Sequence, residues 1–517
     1  MSEERRVDFV LDGVDVSVGA EGSLLDALRE SLDRRSVKDG CSPQGQCGCC
    51  TVWVDGAPRV ACVTPVTRVR GRAVTTVDGL PEADRWADAF VTAGASQCGF
   101  CTPGIVMRLA ALPPEVRGDP SAVRRSLLAH VCRCTGWNSI VDAVGIVDGA
   151  PGAGRDPGPA ARRAEIEGGV PQRVGPAVVV GRGGFADDEA PTEALVGCRG
   201  PDGEWVLAPT LGAAGSASGK VQGRRTTAPL RWPVEVPDGD WVRTLRTTWV
   251  EPGYLEPDAT WCRPGGEPAS MRGNGGSFGA KASDELGLTA RRLADEHGCP
   301  VRLVMSREDV VRSGPKRPPL AIGVRADGSG VVHVARTPGV AEAIASVAPQ
   351  LRVVEVDVVG PATSSAVRGA GWAEVAAVLA TLDDGPTSTV TGPSGATAEA
   401  AVSADGSMSV GVRCGAVLDE VVLRSYCVGA AHMALGWVTS EAISVSDDGV
   451  PIDLTMRSFG IVRAVDMPVV DVALVDDDGP PVNGSDAVFA AVAAAVWRAE
   501  GLVSRWPTRR GSTDRSG

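Results

Sequence analysis

Eight of the fourteen cysteines form two sets of four whose spacings are typical of metal ligands. In chain order, the two sets are Cys41, Cys47, Cys50 and Cys62, then Cys98, Cys101, Cys132 and Cys134. The first set reads C-x5-C-x2-C followed by one distant cysteine, and the second joins C-x2-C to a distant C-x-C. A 2Fe–2S cluster is held by four thiolates, usually on a loop close to C-x4-C-x2-C. The spacing therefore favours two iron–sulfur clusters.

Zinc and disulfides are the alternatives for these thiols. Two all-cysteine zinc sites would also use eight thiolates, but zinc sites usually pair C-x2-C with C-x2-C. Disulfides are the weakest alternative, because cysteines this close together in a reducing compartment are more often metal ligands. Cys49 is surplus to the first set and could replace Cys47 or Cys50 if the longer loop shifts the register. The other five cysteines show no ligand spacing and are predicted to be small buried residues.

Composition excludes several classes of function. The net charge of −13 argues against a nucleic-acid partner, because phosphate binding requires clustered Lys and Arg. Residues 1–18 contain no apolar leader segment, and no run of eighteen apolar residues occurs. We therefore expect a cytoplasmic protein that does not span a membrane.

The chain between the cysteines alternates strand and helix signals. Two hairpins with Asp-Gly turns, at Asp12-Gly13 and Asp55-Gly56, flank a helix that Ser23 can cap. Residues 80–147 are helical in pattern, with Thr102-Pro103 and Asp119-Pro120 as helix starts. The segment 148–175 lacks periodicity and is predicted to be a linker. Beyond it, strands such as AVVVG, VRTLRTTWV and PVRLVM and helices near 282–297 and 486–500 predict an α+β multidomain fold.

The cysteine segments resemble a known family. The stretches GCSPQGQCGCCTVWVDGAPRVAC, QCGFCTPGIVM and HVCRCTGWNSIVDAV are similar to the two-cluster unit of the xanthine dehydrogenase/aldehyde oxidase family of molybdenum hydroxylases. The resemblance implies a plant-type 2Fe–2S ferredoxin-like β-grasp domain over 1–79 and a four-helix-bundle 2Fe–2S domain over 80–147. It also implies that the eight cysteines are the cluster ligands. In that family, the residue aligned with Gln97 contacts a molybdopterin cofactor.

The second half resembles an abbreviated molybdopterin-binding subunit of the same family. NGGSFGAK is similar to the family's glycine-rich loop, and AVRGAG to the loop near the metal. The cofactor-binding residues implied here are Gly275, Gly276, Phe278, Gly279 and Arg368. The resemblance divides the remainder into a remnant of the hammerhead-like substrate domain over 176–250, a molybdopterin-binding-like region over 251–506 and a disordered tail over 507–517.

Asp486 is the candidate catalytic residue. VNGSDAVFAAVAAAV resembles the family's terminal loop, whose acidic residue is the general base, and Asp486 is the aligned residue. A carboxylate beside a bound oxyanion suits this role because its pKa can rise toward the working pH. The alternative is that Asp486 only caps the following helix. Tyr426 stands where the family has a cofactor-binding glutamine, and a second glycine-rich loop is missing.

Two functions follow from these features. The first is an oxidoreductase that oxidises an aldehyde or N-heteroaromatic small molecule and passes electrons through both clusters. The second is an electron-transfer or scaffold subunit whose degenerate second half holds no molybdopterin. No FAD domain separates the two halves, so the resemblance implies an FAD-binding partner subunit or another acceptor. It also makes a homodimer an expectation.

Overall fold

The computed structural model describes residues 6–149, 156–219, 228–475 and 477–510. These residues form a mixed α+β architecture with one five-stranded and three four-stranded sheets. One continuous apolar core runs from Val7 in the first strand to Trp506 near the end of the described chain. The parts of the chain that carry the two cysteine sets are therefore packed into the same body as the second half.

The first sheet has the strand order β2-β1-β5-β3-β4, with β1 and β5 parallel and the other neighbours antiparallel. Its strands are β1 (Arg6–Leu11), β2 (Val14–Gly19), β3 (Thr51–Val54), β4 (Ala57–Val60) and β5 (Ala73–Thr75). Both predicted Asp-Gly turns are confirmed. Ser23 caps α1 (Leu24–Asp26), as predicted, and the helix continues as a wide turn over Ala27–Ser31.

Five helices follow the first sheet. They are α2 (Ala83–Ala93), α3 (Thr102–Ala110), α4 (Pro114–Arg117), α5 (Pro120–Ser126) and α6 (Asn138–Val147). Asp119 caps α5 through a hydrogen bond from the Ser121 N–H, as the sequence predicted. The N-cap of α3 is Cys101, one residue before the predicted start. The second cysteine set lies on the loops that precede α3 and α6.

The segment predicted to be a linker contains a helix, so that prediction is wrong for most of 148–175. Helix α7 (Pro157–Gly168) begins at the capping residue Asp156, and its small residues Ala160 and Ala164 pack against Val422 and Tyr426. Its Gly, Pro and Ala content concealed this helix, because alanine contacts give little apolar periodicity. Residues 150–155 lie outside the described part of the chain.

A second local prediction is also wrong. The stretch AVVVG was predicted to be a strand, but it forms α8 (Pro176–Val179), with proline in the first turn and Val178 and Val179 buried. Proline at a helix start has the backbone angle that a helix requires, which explains why this stretch forms a helix and not the predicted strand. The next helix is α9 (Ala186–Glu189).

The remaining elements alternate between strands and helices. They are β6 (Leu195–Arg199), β7 (Trp205–Ala208), α10 (Leu211–Ser218), β8 (Arg243–Arg246), β9 (Ala259–Cys262), α11 (Glu285–His297), β10 (Val301–Val304), α12 (Arg307–Ser313), β11 (Leu320–Val324), β12 (Gly330–Ala335), α13 (Val340–Ala345), β13 (Leu351–Val356), α14 (Trp372–Leu379), β14 (Ser388–Thr391), β15 (Thr397–Val402), β16 (Met408–Arg413), α15 (Glu420–Thr439), β17 (Val470–Val475) and α16 (Ser485–Ala499).

Two sheets contain strands from both sides of residue 250, where a domain boundary was predicted. The second sheet has the order β7-β6-β10-β9, in which β6 is parallel to β10. The third has the order β13-β12-β11-β8. Strands from both sides of residue 250 therefore complete each sheet, and 176–250 is not a separate folding unit.

The fourth sheet, β14-β15-β16-β17, packs against α16, which also packs against α15. Helix α15 is long and apolar enough to cross a membrane by length and composition, but it is almost entirely buried inside the protein. The predicted tail also differs from the structure. The N–H groups of Thr508 and Arg509 donate to the carbonyls of Val438 and Thr439 in α15, so residues 507–510 are docked. Residues 511–517 lie outside the described chain.

Candidate functional site

The first cysteine set lies on the loop before β3 and on the turn after β4. The Cys41 thiol contacts those of Cys47 and Cys62, and Cys62 also contacts Cys50. All four residues are buried. Backbone N–H groups point at the sulfurs, as the N–H of Gln44 donates to Cys41 Sγ at 3.0 Å and that of Cys62 to Cys50 Sγ at 3.4 Å. Such hydrogen bonds suit thiolates and tune a bound cluster.

Cys49 lies beside this set, and it is also buried. Its thiol contacts Cys47, and its Sγ lies 3.0 Å from where a Cβ on Gly40 would stand. Any side chain at Gly40 would therefore displace this sulfur. The structure keeps Cys49 within the group, in contact with Cys47, so its replacement of Cys47 or Cys50 as a ligand stays a prediction.

The second cysteine set forms two sulfur pairs. Cys134 Sγ lies 3.6 Å from Cys98 Sγ, and the thiols of Cys101 and Cys132 are hydrogen-bonded to each other. A hydroxyl also reaches this set, since Thr135 Oγ1 is 3.1 Å from Cys132 Sγ. The four residues come from two loops about thirty residues apart that α2, α3 and α6 hold together.

The two sets are in direct contact. The N–H of Val131, next to Cys132, donates to the carbonyl of Cys47 at 3.0 Å. Helix α3 packs its Gly104 against the first loop so closely that an added Cβ would lie 2.3 Å from the Gly48 carbonyl oxygen and 2.6 Å from that of Cys49. One hydrogen bond and one glycine contact therefore join the backbones of the two sets.

The arrangement of the sulfurs fits iron–sulfur clusters. A 2Fe–2S cluster has two irons that share four thiolates. The pairs Cys98–Cys134 and Cys101–Cys132 offer two thiolates to each of the two irons, so the residues present fit the cluster.

A cavity of about 290 Å³ adjoins the second set. It lies between the end of α7, the glycine-rich loop, the loop before α14 and the starts of α15 and α16. Six of the seven predicted site residues other than cysteines line it: Gln97, Gly276, Phe278, Gly279, Arg368 and Asp486. The seventh, Gly275, borders a smaller void next to Cys98, Cys101 and Cys134. Residues separated by almost 400 positions in the chain thus meet at one cavity.

Asp486 lies in the first turn of α16 and forms an ion pair with Arg368, whose Nε donates to Asp486 Oδ1 at 2.8 Å. Burial raises the pKa of Asp486, and Arg368 opposes that effect. The N-cap of α16 is Gly484, and Asp486 makes no capping hydrogen bond. Asn483 Oδ1 instead accepts from the Asp486 N–H at 3.0 Å. The capping alternative for Asp486 is therefore wrong.

Glu167, which the sequence did not single out, occupies the N-terminus of α16. Its carboxylate accepts from the N–H groups of Gly484 at 3.0 Å and Ser485 at 2.9 Å, and it pairs with buried Arg163. Arg163 and Glu167 are four residues apart, which is ion-pair spacing on a helix. That spacing in RRAEIE was the available signal for both the helix and the site residue.

The residues predicted to contact a cofactor make contacts within the protein. The Gln97 amide nitrogen donates to the Cys134 and Ser425 carbonyls at 3.0 and 3.1 Å. A Cβ on Gly276 would lie 2.8 Å from Cys98 Cβ, and one on Gly279 would lie 1.6 Å from the Ala366 carbonyl oxygen. These glycines permit close packing of the chain on itself, and both also line the cavity.

In this structure, groups that could bind molybdopterin contact other parts of the protein. The volume of the cavity is near the lower limit of sites that bind drug-sized molecules. The N-terminus of α16, which could bind an anionic group, is taken by Glu167. Tyr426, at the position of the expected glutamine, donates its hydroxyl to Gln172 Oε1 at 2.7 Å. The cofactor-binding roles of Gln97, Arg368 and the glycine loop stay predictions.

Comparison with known proteins identifies relatives of the cysteine-bearing part. Residues 76–145 match the family model of the 2Fe-2S binding domain. The chain is 34% identical over 150 residues to the xanthine dehydrogenase iron-sulfur-binding subunit of Escherichia coli O157:H7, covering 28% of this chain and 94% of that subunit. It is 42% identical over 135 residues to the aldehyde oxidoreductase of Megalodesulfovibrio gigas, covering 25% of this chain. That match spans 15% of the relative's length.

The fold of the whole chain also has a relative. The structure of an aldehyde oxidoreductase from Desulfovibrio gigas superposes with a TM-score of 0.70 at 16% identity, covering 98% of this chain and 99% of that chain. At this identity the similarity concerns the fold alone.

Proposed function

Because the chain belongs to the xanthine dehydrogenase/aldehyde oxidase family of molybdenum hydroxylases, we propose that it is an iron–sulfur oxidoreductase carrying electrons through two 2Fe–2S clusters to a separate acceptor. The observation that carries this proposal is the pairing of the thiols, with Cys98 beside Cys134 and Cys101 beside Cys132. The first set, around Cys41, supplies the four ligands of the other cluster.

The contact between the sets supports electron transfer between the clusters. The Val131 N–H bonded to the Cys47 carbonyl joins a residue adjacent to one ligand with a ligand of the other set. All eight cysteines are buried, so little solvent has to reorganise around either cluster when its charge changes. In this proposal, electrons enter at the second set, beside the cavity, and leave from the first.

The acceptor is proposed to be an FAD-binding subunit or another redox partner. The relative from Escherichia coli is itself named as a subunit of xanthine dehydrogenase. The two cluster-binding domains over 1–79 and 80–147, the cytoplasmic location and a homodimer belong to the same proposal.

A second candidate is hydroxylation of an aldehyde or N-heteroaromatic compound by a molybdenum centre. The observation that favours it is that six predicted site residues, including Arg368 and Asp486, line one cavity beside Cys98. It requires Glu167 to leave the N-terminus of α16, since the carboxylate and an anionic cofactor would compete for the same N–H groups.

Metal analysis of the purified full-length protein separates the candidates. Two 2Fe–2S clusters give about four irons per chain. Iron without molybdenum supports the electron-transfer proposal, and iron with about one molybdenum per chain supports the hydroxylase. Zinc without iron would contradict both.

A further inference from the structure

A buried ion pair lies next to the second cysteine set. Arg133 stands between Cys132 and Cys134, and its two terminal guanidinium nitrogens donate to the two oxygens of Glu441 at 2.5 and 2.7 Å. Its Nε donates to the Pro252 carbonyl at 3.0 Å. The side chains of Arg133 and Glu441 are 4% and 1% exposed. A two-pronged pair of this kind has a fixed geometry, so its charges keep a constant position relative to the cysteines.

Arg133 adjoins the second cysteine set. It lines the same small void as Cys98, Cys101 and Cys134. Glu441 lies just beyond the end of α15 and is not among the residues that line that void. Buried charges act strongly on each other because little water screens them.

These positions have a consequence for a bound cluster. Reduction adds one electron, and therefore one negative charge, to a 2Fe–2S cluster. Net charge near the cluster and its exclusion from solvent are among the features that set its potential. A fixed cation near the cluster stabilises the reduced form, and the carboxylate paired with it weakens that effect.

We propose that the Arg133–Glu441 pair sets the reduction potential of the cluster at Cys98, Cys101, Cys132 and Cys134. The inference rests on the proposed function, because it requires a cluster at these cysteines. The pair of Lys281 and Glu256, 2.8 Å apart, borders the same void and contributes to the same field. The test leaves that second pair unchanged.

The test is a dithionite titration of the purified full-length protein followed by EPR. The signal that Cys132→Ser removes is assigned to the second cluster. Glu441→Gln should raise the midpoint potential of that signal, because Arg133 is then no longer neutralised. Arg133→Gln should lower it, and the double variant should return toward the wild-type value. Arg133→Lys keeps the charge and should lie closer to wild type than Arg133→Gln.

The matched control is Glu30→Gln. Both carboxylate oxygens of Glu30 accept hydrogen bonds from the guanidinium of Arg302, at 2.9 and 3.2 Å. The side chains of Glu30 and Arg302 are 11% and 3% exposed. Neither residue borders the void at the second cysteine set. This variant should lower thermal stability without moving the second signal, which separates an electrostatic role from a structural one.

An unchanged second signal in Glu441→Gln, or an equal shift of both signals, would overturn the inference. If the second signal is absent in Glu441→Gln, the Arg133→Lys variant provides the test. A midpoint potential of Arg133→Lys near that of wild type supports the inference, and a shift as large as that of Arg133→Gln overturns it. Wild-type protein without two signals would instead contradict the proposed function.

Discussion

Glu167 of α7 accepts a hydrogen bond from the backbone N–H of Ser485 at 2.9 Å, which places a carboxylate of the chain itself at the N-terminus of α16. The two residues are 318 positions apart. A helix N-terminus attracts anions, because its first N–H groups have no partner within the helix. The protein thus fills its own anion site beside the cavity.

Replacing Glu167 by Ala should destabilise the protein by about 3 to 5 kcal/mol, because buried Arg163 loses its partner. Urea unfolding measures the loss. Acetate or phosphate should restore stability in the variant more than in the wild type, since either anion can take the vacated position. Glu165→Ala, an exposed change on the same helix, is the control. Equal effects of the anions on Glu167→Ala and wild type would show that this position binds no anion.

Replacing Cys132 by Ser should remove one of two 2Fe–2S EPR signals, because the pair with Cys101 is lost. Cys49→Ala is the matched control, as a buried cysteine outside the four-ligand set. It should leave both signals present. Survival of both signals in Cys132→Ser would refute the ligand assignment, and loss of a signal in Cys49→Ala would make Cys49 a ligand.

The stability of the protein should fall with rising pH through Glu256. Burial raises the pKa of Glu256 to about 7, with Lys281 opposing the shift. Between the unfolded value, about 4.3, and about 7, the folded state holds a proton that the unfolded chain releases. From about pH 5 to about pH 8, the wild type should lose about 2 to 3 kcal/mol relative to Glu256→Gln. Urea unfolding at both pH values measures this, and parallel changes in the two proteins would contradict it.

Replacing Gly279 by Ala should destabilise the glycine-rich loop. Its φ is +81°, and the new Cβ would stand 1.6 Å from the Ala366 carbonyl oxygen. Gly395→Ala is the control, because Gly395 has a φ of +86° but open space around it. The control should lose about 1 to 2 kcal/mol from backbone strain alone. Gly279→Ala should lose about 1 to 3 kcal/mol more, because the neighbouring backbone has to move. Equal losses in thermal unfolding would show that the close contact has no effect.

The sequence predicted the features that depend on local spacing. The positions of the cysteines, the Asp-Gly turns and the caps at Ser23 and Asp119 are set by neighbouring residues. The resemblance also predicted residues that meet at one cavity, including Arg368 and Asp486.

The remaining features depend on contacts between distant segments. Arg133 and Glu441 are 308 residues apart, and nothing local to either identifies the other. Helix α7 was missed because alanine, glycine and proline give a weak helical pattern, although its packing on Val422 and Tyr426 stabilises it. The pairing of β6 with β10 was also missed, because the register between strands that are remote in sequence has no local signal.

The place of β6 in its sheet also bears on how the chain is made. Leu195 in β6 pairs with Val301 in β10 in parallel register. The partner strand of β6 is therefore synthesised more than a hundred residues after β6 itself. During synthesis, the β6–β7 hairpin emerges with one edge open until Val304 has left the ribosome. An open strand edge recruits other chains. While this interval is being translated, the open edge of β6 is therefore able to pair with other chains.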